Sequence, residues 1–211
     1  MKGDRGMKKM SQIRINGGDA GTEEALNAVD KYIRSRALEN KKAIHLRLVC
    51  EETLGMVRAM TGDFEALFWI EEENGEFRVR LQAETIMDKG KKEALLSVST
   101  SHENAAAKGF MGKISDIIQN GLLSFDESAK LQQEYGVGYD FMSMGLMGEY
   151  PAAGVPMMWS LENYRGTIQD SEGEEMEDAS DELEKSIVAS LAKDVIVGVK
   201  NDHVDLTIIC K

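Results

Sequence analysis

The chain has 211 residues, 42% of them hydrophobic and 6% aromatic, which is enough for one folded domain with a sizeable core. Its formal net charge of −12 would repel the phosphates of nucleic acids and of anionic membranes, so we expect neither as a partner. The apolar runs are too short to cross a bilayer, and the basic N-terminus lacks the apolar core of a signal peptide. We therefore expect a cytoplasmic protein.

The first residues predict an arm followed by a helix pair. Residues 1–20 are polar and rich in glycine, which indicates a flexible arm before a single domain at 21–211. Thr22 is the predicted N-cap of a helix that runs to about residue 40, with Glu23 and Glu24 in its first turn. The apolar spacing predicts a second helix over residues 43–60.

A hairpin follows the two helices. Strands are predicted at 64–71 and 76–84, and the sequence Glu73-Asn74-Gly75 between them is typical of a tight turn. In the second strand, apolar and polar residues alternate, so one face is expected to be buried and the other to contact water. The apolar set is Phe77, Val79 and Leu81, and the polar set is Arg78, Arg80 and Gln82.

The middle of the chain is less regular, and we predict a lid or insertion over residues 100–170. Residues 91–100 fit a short helix or a strand, and the helix is favoured. A loop over 101–113 leads into a helix whose core face carries Ile114, Ile117 and Ile118. Residues 134–158 combine glycine, proline and methionine, which indicates a mobile lid or an adaptable apolar surface. Residues 159–165 are predicted as one more strand.

The methionine-rich part of this segment is a candidate working surface for a partner or for self-association. Unbranched thioether side chains repack readily against different partners, and aromatic residues lie among them. The alternative is that these side chains fill the core of the domain itself. The cluster consists of Met142, Met144, Met147, Met157 and Met158 with Phe141, Tyr150 and Trp159.

The end of the chain predicts a helix over about 180–193 and then a β-hairpin. Residues 170–184 contain nine acids, which we interpret as a solvated loop running into a helix start, where the helix dipole favours negative charge. The two cysteines, Cys50 and Cys210, fall within a predicted helix and a predicted strand. Both are expected to be small core residues without a disulfide.

Two segments resemble one known family. The stretch Leu48-Val-Cys-Glu-Glu-Thr-Leu-Gly-Met-Val57 resembles the N-box helix of the histidine-kinase-like (Bergerat-fold, GHKL) ATPase superfamily. The closing helix and hairpin are similar to the end of that domain, with the small anti-sigma-factor serine kinases closest in pattern. The resemblance implies an α+β fold, a two-layer α/β sandwich in which a mixed sheet carries helices on one face, with a large middle insertion.

In the family, the N-box glutamate activates the attacking group, and an asparagine four residues later binds Mg²⁺. With Glu52 as that glutamate, which we prefer, Met56 replaces the asparagine; with Glu51, Gly55 replaces it. Neither a thioether nor a glycine offers the oxygen ligand that a hard cation requires. The alternative is that both carboxylates are ordinary surface groups.

Other motifs of the family are altered in this chain. Asp88 and Gly90 stand where the resemblance places the adenine-binding Asp-x-Gly-x-Gly motif, but Lys92 replaces its second glycine. At the predicted start of the closing helix, the family has a phosphate-binding glycine run. Here that stretch contains no glycine and carries four acids, namely Asp178, Asp181, Glu182 and Glu184.

A glycine- and lysine-containing stretch is a candidate anion cradle, because backbone N–H groups at a helix start attract negative charge. Its residues are Asn104, Lys108, Gly109 and Gly112, and Lys113 follows them. The alternative is a helix entry with solvated lysines. Together with Glu52, Met56, Asp88 and Gly90, these residues form the candidate nucleotide site. The three histidines, His45, His102 and His203, are scattered, and no metal ligands are predicted.

The sequence therefore supports a degenerate histidine-kinase-like ATPase domain that acts as a regulatory or protein-binding module, with Glu52 as the candidate catalytic residue should any catalysis remain. ATP and Mg²⁺ are the cofactors that the resemblance implies, and the altered motifs argue against turnover. The alternative is an active ATP-binding kinase of the anti-sigma-factor type with reorganised motifs. A third hypothesis is an unrelated α/β domain with a structural or interaction role.

Overall fold

The computed structural model describes residues 8–16, 19–59, 64–85, 110–122, 157–170, 173–200 and 203–211. The strands are β1 (Lys8–Lys9), β2 (Ile13–Asn16), β3 (Phe64–Glu73), β4 (Glu76–Thr85), β5 (Met157–Ser160), β6 (Ala192–Lys200) and β7 (His203–Cys210). The helices are α1 (Asp19–Ser35), α2 (Asn40–Ala59), α3 (Phe110–Leu122), α4 (Leu161–Asp170), α5 (Glu174–Lys185) and α6 (Ile187–Leu191). The fold is therefore α+β, the class that the sequence predicts.

The seven described strands form one sheet in the order β1-β3-β4-β7-β6-β5, and β2 continues the β1 edge by pairing with β3. Every described pairing is antiparallel. The expectation of a mixed sheet is therefore wrong for these strands. The closing hairpin β6–β7 was predicted, and it joins the hairpin β3–β4 through β4 and β7.

One face of the sheet is apolar, and the helices pack on it. Ile70, Val79, Ile208 and Val195 form a row across four strands, and each is at most 1% exposed. In the next row Trp159 contacts the rings of Phe110 in α3 and Tyr164 in α4, with centroid distances of 6.2 and 5.8 Å. Helix α2 packs against α1, α3 and α6, so these helices share that side of the sheet.

Local signals explain several elements. Asn74 and Gly75 both have positive φ, 53° and 81°, as a two-residue turn between antiparallel strands requires. Helix α1 ends at Ser35 because Ala37 adopts a φ of 48°, the left-handed conformation that stops helices. The predicted core face of α3 is confirmed, since Ile114, Ile117 and Ile118 are fully buried.

The N-terminal residues differ from their prediction. Residues 8–16, expected to belong to a flexible arm, supply the edge strands β1 and β2, with Met10 and Ile15 buried in the core. Helix α1 begins at Asp19, so Thr22 lies within its first turn and is not the N-cap. Short strands of two and four residues carry too few alternating positions to be recognised from their own sequence.

The segment predicted as a lid or insertion is part of the core where it is described. Helix α3, strand β5 and helix α4 all contribute buried residues to the main cluster, among them Phe110, Trp159 and Tyr164. Residues 159–165 are not one strand, because β5 ends at Ser160 and α4 begins at Leu161. The predictions for residues 91–100 and 134–156 lie outside the described residues.

The closing helix is two helices. Helix α5 begins at Glu174 after Gly173, whose φ is 146°, and ends before Ser186. Ser186 then caps α6, because its hydroxyl accepts the N–H of Ala189 at 3.1 Å. The predicted single helix over 180–193 was therefore wrong in its bounds. None of the helices in the described ranges is long and apolar enough to cross a membrane.

Candidate functional site

Helix α2 carries the two candidate glutamates, and one of them belongs to an ion-pair network. Arg47 donates to Glu51 at 3.1 Å, one helical turn away, and to Asp30 of α1 at 2.9 Å. These contacts tie α2 to α1. Glu51 therefore has a structural role. If Glu51 were the catalytic glutamate, Gly55 would occupy the metal-binding position, and a side chain there would meet nothing within 4 Å.

Glu52 and Met56 differ in burial although they lie one turn apart. Glu52 is half-buried, whereas Met56 is 6% exposed and belongs to the hydrophobic core. A thioether in that position fills core volume and gives no oxygen ligand. Within the described ranges, no group of three or more His, Cys, Asp or Glu side chains is placed to hold a metal ion.

Of the remaining candidate nucleotide residues, the structure describes Gly112. Asp88, Gly90, Asn104, Lys108 and Gly109 lie outside the described residues. Gly112 is buried in the first turn of α3.

Lys113, which follows Gly112, is engaged with α4. Its Nζ lies 4.5 Å from the centre of the Tyr164 ring and donates to the Tyr164 hydroxyl. Lys113, the last lysine of the candidate anion cradle, therefore contacts Tyr164 within the domain.

Four acids at the predicted start of the closing helix do not open a helix. Asp178, Asp181, Glu182 and Glu184 are exposed along α5, and Asp181 pairs with Lys185 at 3.2 Å. Charged residues spaced this way cover the solvated side of a helix. The prediction that they form the helix start was wrong, because α5 begins several residues earlier.

The other face of the sheet carries charged, polar and apolar side chains. Strand register places Trp69, Arg80, Thr207, Ile196 and Ser160 in one row across five strands. This face, opposite to the one that packs against the helices, is called the open face below. Thr207 in its middle is 8% exposed.

A depression of about 870 Å³ lies on the open face. Strands β4, β5, β6 and β7 supply its lining, which includes Arg78, Arg80, Met158, Ile196, Gly198 and Thr207. Its size is within the range of ligand-binding clefts. The lining combines two arginines on β4 and Lys200 on β6 with apolar side chains on β5, β6 and β7, so it could hold a ligand that is both anionic and apolar.

The two arginines of the depression have different surroundings. Arg78 donates to Glu73 and Glu76, each at 3.0 Å, and the hydrogen bond with Glu76 raises the pKa of Arg78. Arg80 lies with its guanidinium carbon 5.7 Å from the centre of the Trp69 ring. Its Nε is buried and has no hydrogen-bond partner among the described residues.

The apolar end of the depression depends on a glycine. Met158 is 57% exposed, and its Sδ would lie 3.1 Å from a Cβ placed on Gly198. Met158 therefore packs on the backbone of β6 at Gly198, where there is no side chain. Of the predicted methionine-rich surface, Met158 is exposed on the open face, whereas Trp159 points to the opposite face and is 3% exposed.

Sequence reasoning missed Arg80, Gly198 and Thr207 as site residues. The polar alternation of β4 did predict that Arg80 faces water, and β6 shows a similar alternation around Gly198. The two strands become part of one surface only through β7, which lies between them. That pairing joins positions more than a hundred residues apart, so no local signal indicates it.

Neither a family model nor a curated protein sequence matches this chain.

Proposed function

We propose that this chain is a regulatory, protein-binding module on a degenerate histidine-kinase-like ATPase scaffold, and that it does not turn over ATP. The order of elements supports the scaffold: a helix pair, a hairpin, and a final short helix leading into the closing hairpin. The antiparallel sheet and the extra strands β1, β2 and β5 are departures from the expected pattern.

The loss of nucleotide turnover is supported by Met56. The position at which the resemblance implies a metal-binding amide is occupied by a core thioether that is 6% exposed. A hard cation such as Mg²⁺ requires oxygen ligands, and α2 supplies none one turn after Glu52. Met56 is therefore a residue of the hydrophobic core.

The observation that carries the binding role is the depression on the open face. Helices cover one side of the sheet, while the other side exposes Met158 at 57% beside half-buried Ile196 and Ile209. Exposed apolar groups rimmed by charges are typical of surfaces that bind partners. The two cysteines are free, which supports a cytoplasmic location, where thiols stay reduced.

Selection from a library of random peptides displayed on phage tests this function. The full-length chain is the bait, and Gly198→Leu fills the depression because a side chain there meets Met158. We expect enriched peptides that bind the wild-type chain and not Gly198→Leu.

Gly166→Leu is the matched control, because Gly166 lies on α4 and a Cβ there meets nothing within 4 Å. This variant should bind the same peptides as the wild type. Failure to enrich any peptide, or equal binding by Gly198→Leu, would contradict a binding role for the open face.

A further inference from the structure

Arg80 is distinctive among the cations of the depression because one of its donors has no acceptor. Its Nε is buried without a hydrogen-bond partner among the described residues, whereas the Arg78 guanidinium is already held by two glutamates. A buried charged donor without an acceptor costs free energy, so the Arg80 side chain gains by turning to meet an acceptor in the depression. A carboxylate fits an arginine fork best, because two parallel N–H groups can donate to it.

The charge of the depression differs from that of the whole chain. Arg78, Arg80 and Lys200 line it, and Asp205 is the carboxylate among its lining residues. Asp205 accepts a hydrogen bond from Gln82 at 2.6 Å. The two glutamates that hold Arg78 offset its charge, so Arg80 and Lys200 are the cations of the depression that attract an acidic group of a partner.

An apolar shelf lies on the same face as Arg80. Thr207 is the direct cross-strand neighbour of Arg80, and Ile196 is the next neighbour in that row. Met158 and Gly198 occupy the adjacent row. A partner that places a carboxylate at Arg80 therefore has room for an apolar side chain two to three strand spacings away, roughly 10–14 Å from it.

The shape favours a peptide over a small molecule. Nearly all of the lining lies on the open face of four neighbouring strands, which together span about 14 Å. Such a broad depression leaves one side of its occupant in solvent, whereas small-molecule sites bury most of their ligand. A segment of a protein can lie across the strands and use several contacts at once.

We propose that the open face binds a segment of a partner protein in which an aspartate or glutamate, held by Arg80, stands a few positions from an apolar side chain that packs against Met158, Ile196 and Gly198. This inference rests on the proposed binding function and specifies the chemistry of its partner.

The phage selection on the full-length chain also tests the proposal, through the composition of the enriched peptides. We expect acidic residues about two to four positions away from Leu, Ile, Phe or Met, because an extended segment needs that length to reach from Arg80 to Ile196 and Met158. The enriched peptides are then synthesised and titrated against the wild-type chain, Arg80→Gln and Arg14→Gln. Arg14 is the control because it is also on the open face, outside the depression, with a 72% exposed side chain.

Arg80→Gln should weaken binding at least about tenfold, and Arg14→Gln should change it less than about twofold. Replacing the peptide's acid by its amide should give the same loss on the wild-type chain, a result that does not depend on how any variant folds. Peptides without acids, or binding unchanged by Arg80→Gln, would overturn this proposal while leaving the binding function intact. The absence of any peptide that depends on Gly198 would contradict both.

Discussion

Arg80 and Trp69 are direct cross-strand neighbours on the open face, with the guanidinium carbon 5.7 Å from the indole centre. On the edge strand, Lys9 Nζ lies 4.3 Å from the same ring, and the indole N–H donates to Glu71 at 2.7 Å. Trp69 is therefore 3% exposed although it does not face the helices. Cations over an aromatic ring attract its electron-rich face.

The fluorescence of Trp69 should report on this packing. In a Trp159→Phe background, which leaves Trp69 as the single tryptophan, Arg80→Gln removes one cation from the ring. We expect emission at longer wavelength and stronger quenching by acrylamide, because solvent gains access to the indole. Arg14→Gln should leave both unchanged. Identical emission of Arg80→Gln and its parent would mean that Arg80 does not shield the ring.

The pair formed by Arg36 and Glu72 should contribute to stability. Arg36 donates from Nε to Glu72 at 2.6 Å, and the two side chains are 22% and 17% exposed. The contact joins the end of α1 to β3. Because one charge would remain partly buried alone, Arg36→Met should lower the free energy of unfolding by roughly 2 kcal/mol.

Urea unfolding measures this change, and Arg14→Met is the matched control. Arg14 pairs with Glu65 at 3.3 Å, with side chains that are 72% and 67% exposed. A solvated pair of this kind contributes at most about 0.5 kcal/mol. Equal effects of the two substitutions would show that burial does not distinguish the pairs.

Stability should fall at alkaline pH because of the two thiols. Burial, with a smaller effect of Glu76, raises the pKa of Cys210 to about 12. Burial likewise raises the pKa of Cys50 well above its usual value, with a further contribution from Cys210. The folded chain therefore keeps these protons at a pH at which the unfolded chain releases them, so stability is full below about pH 8.5 and is lost as the pH rises toward 12.

Between about pH 8 and pH 11, Cys210 alone should account for a loss of roughly 3 kcal/mol in the free energy of unfolding. Cys210→Val keeps an apolar side chain on β7 and removes one titrating group. Urea unfolding at several pH values should then give a shallower alkaline decline for the variant. If the free energy of unfolding falls with pH equally in the variant and the wild type, the pKa of Cys210 is the same in the folded and the unfolded chain.

Elements with local signals could be predicted from the sequence. The Asn74-Gly75 turn fixes the β3–β4 hairpin, since both residues adopt positive φ. The spacing of Ile114, Ile117 and Ile118 predicts the buried face of α3. The closing hairpin was predicted as well, because its strands are joined by a short polar connection.

Features that depend on distant parts of the chain could not be predicted. Gln82 meets Asp205 only because β4 pairs with β7, and the depression depends on that register. The candidate site on α2 was identified by resemblance. The apolar spacing of α2 places Met56 on the buried face, as the structure confirms, but that spacing does not reveal that Arg47 engages Glu51. Helix α5 was misplaced because its N-cap is Gly173, a residue whose role the acids around it conceal.

The claim that binding has replaced nucleotide turnover on this scaffold is tested most directly by thermal melting of the full-length chain with and without about 1 mM Mg-ATP. A site with a dissociation constant of about 1 µM would add roughly 4 kcal/mol and raise the melting temperature by several degrees. We predict no such rise, because Met56 provides no metal ligand. A rise of several degrees that Glu52→Gln abolishes, together with steady phosphate release by the wild type, would contradict the proposed function.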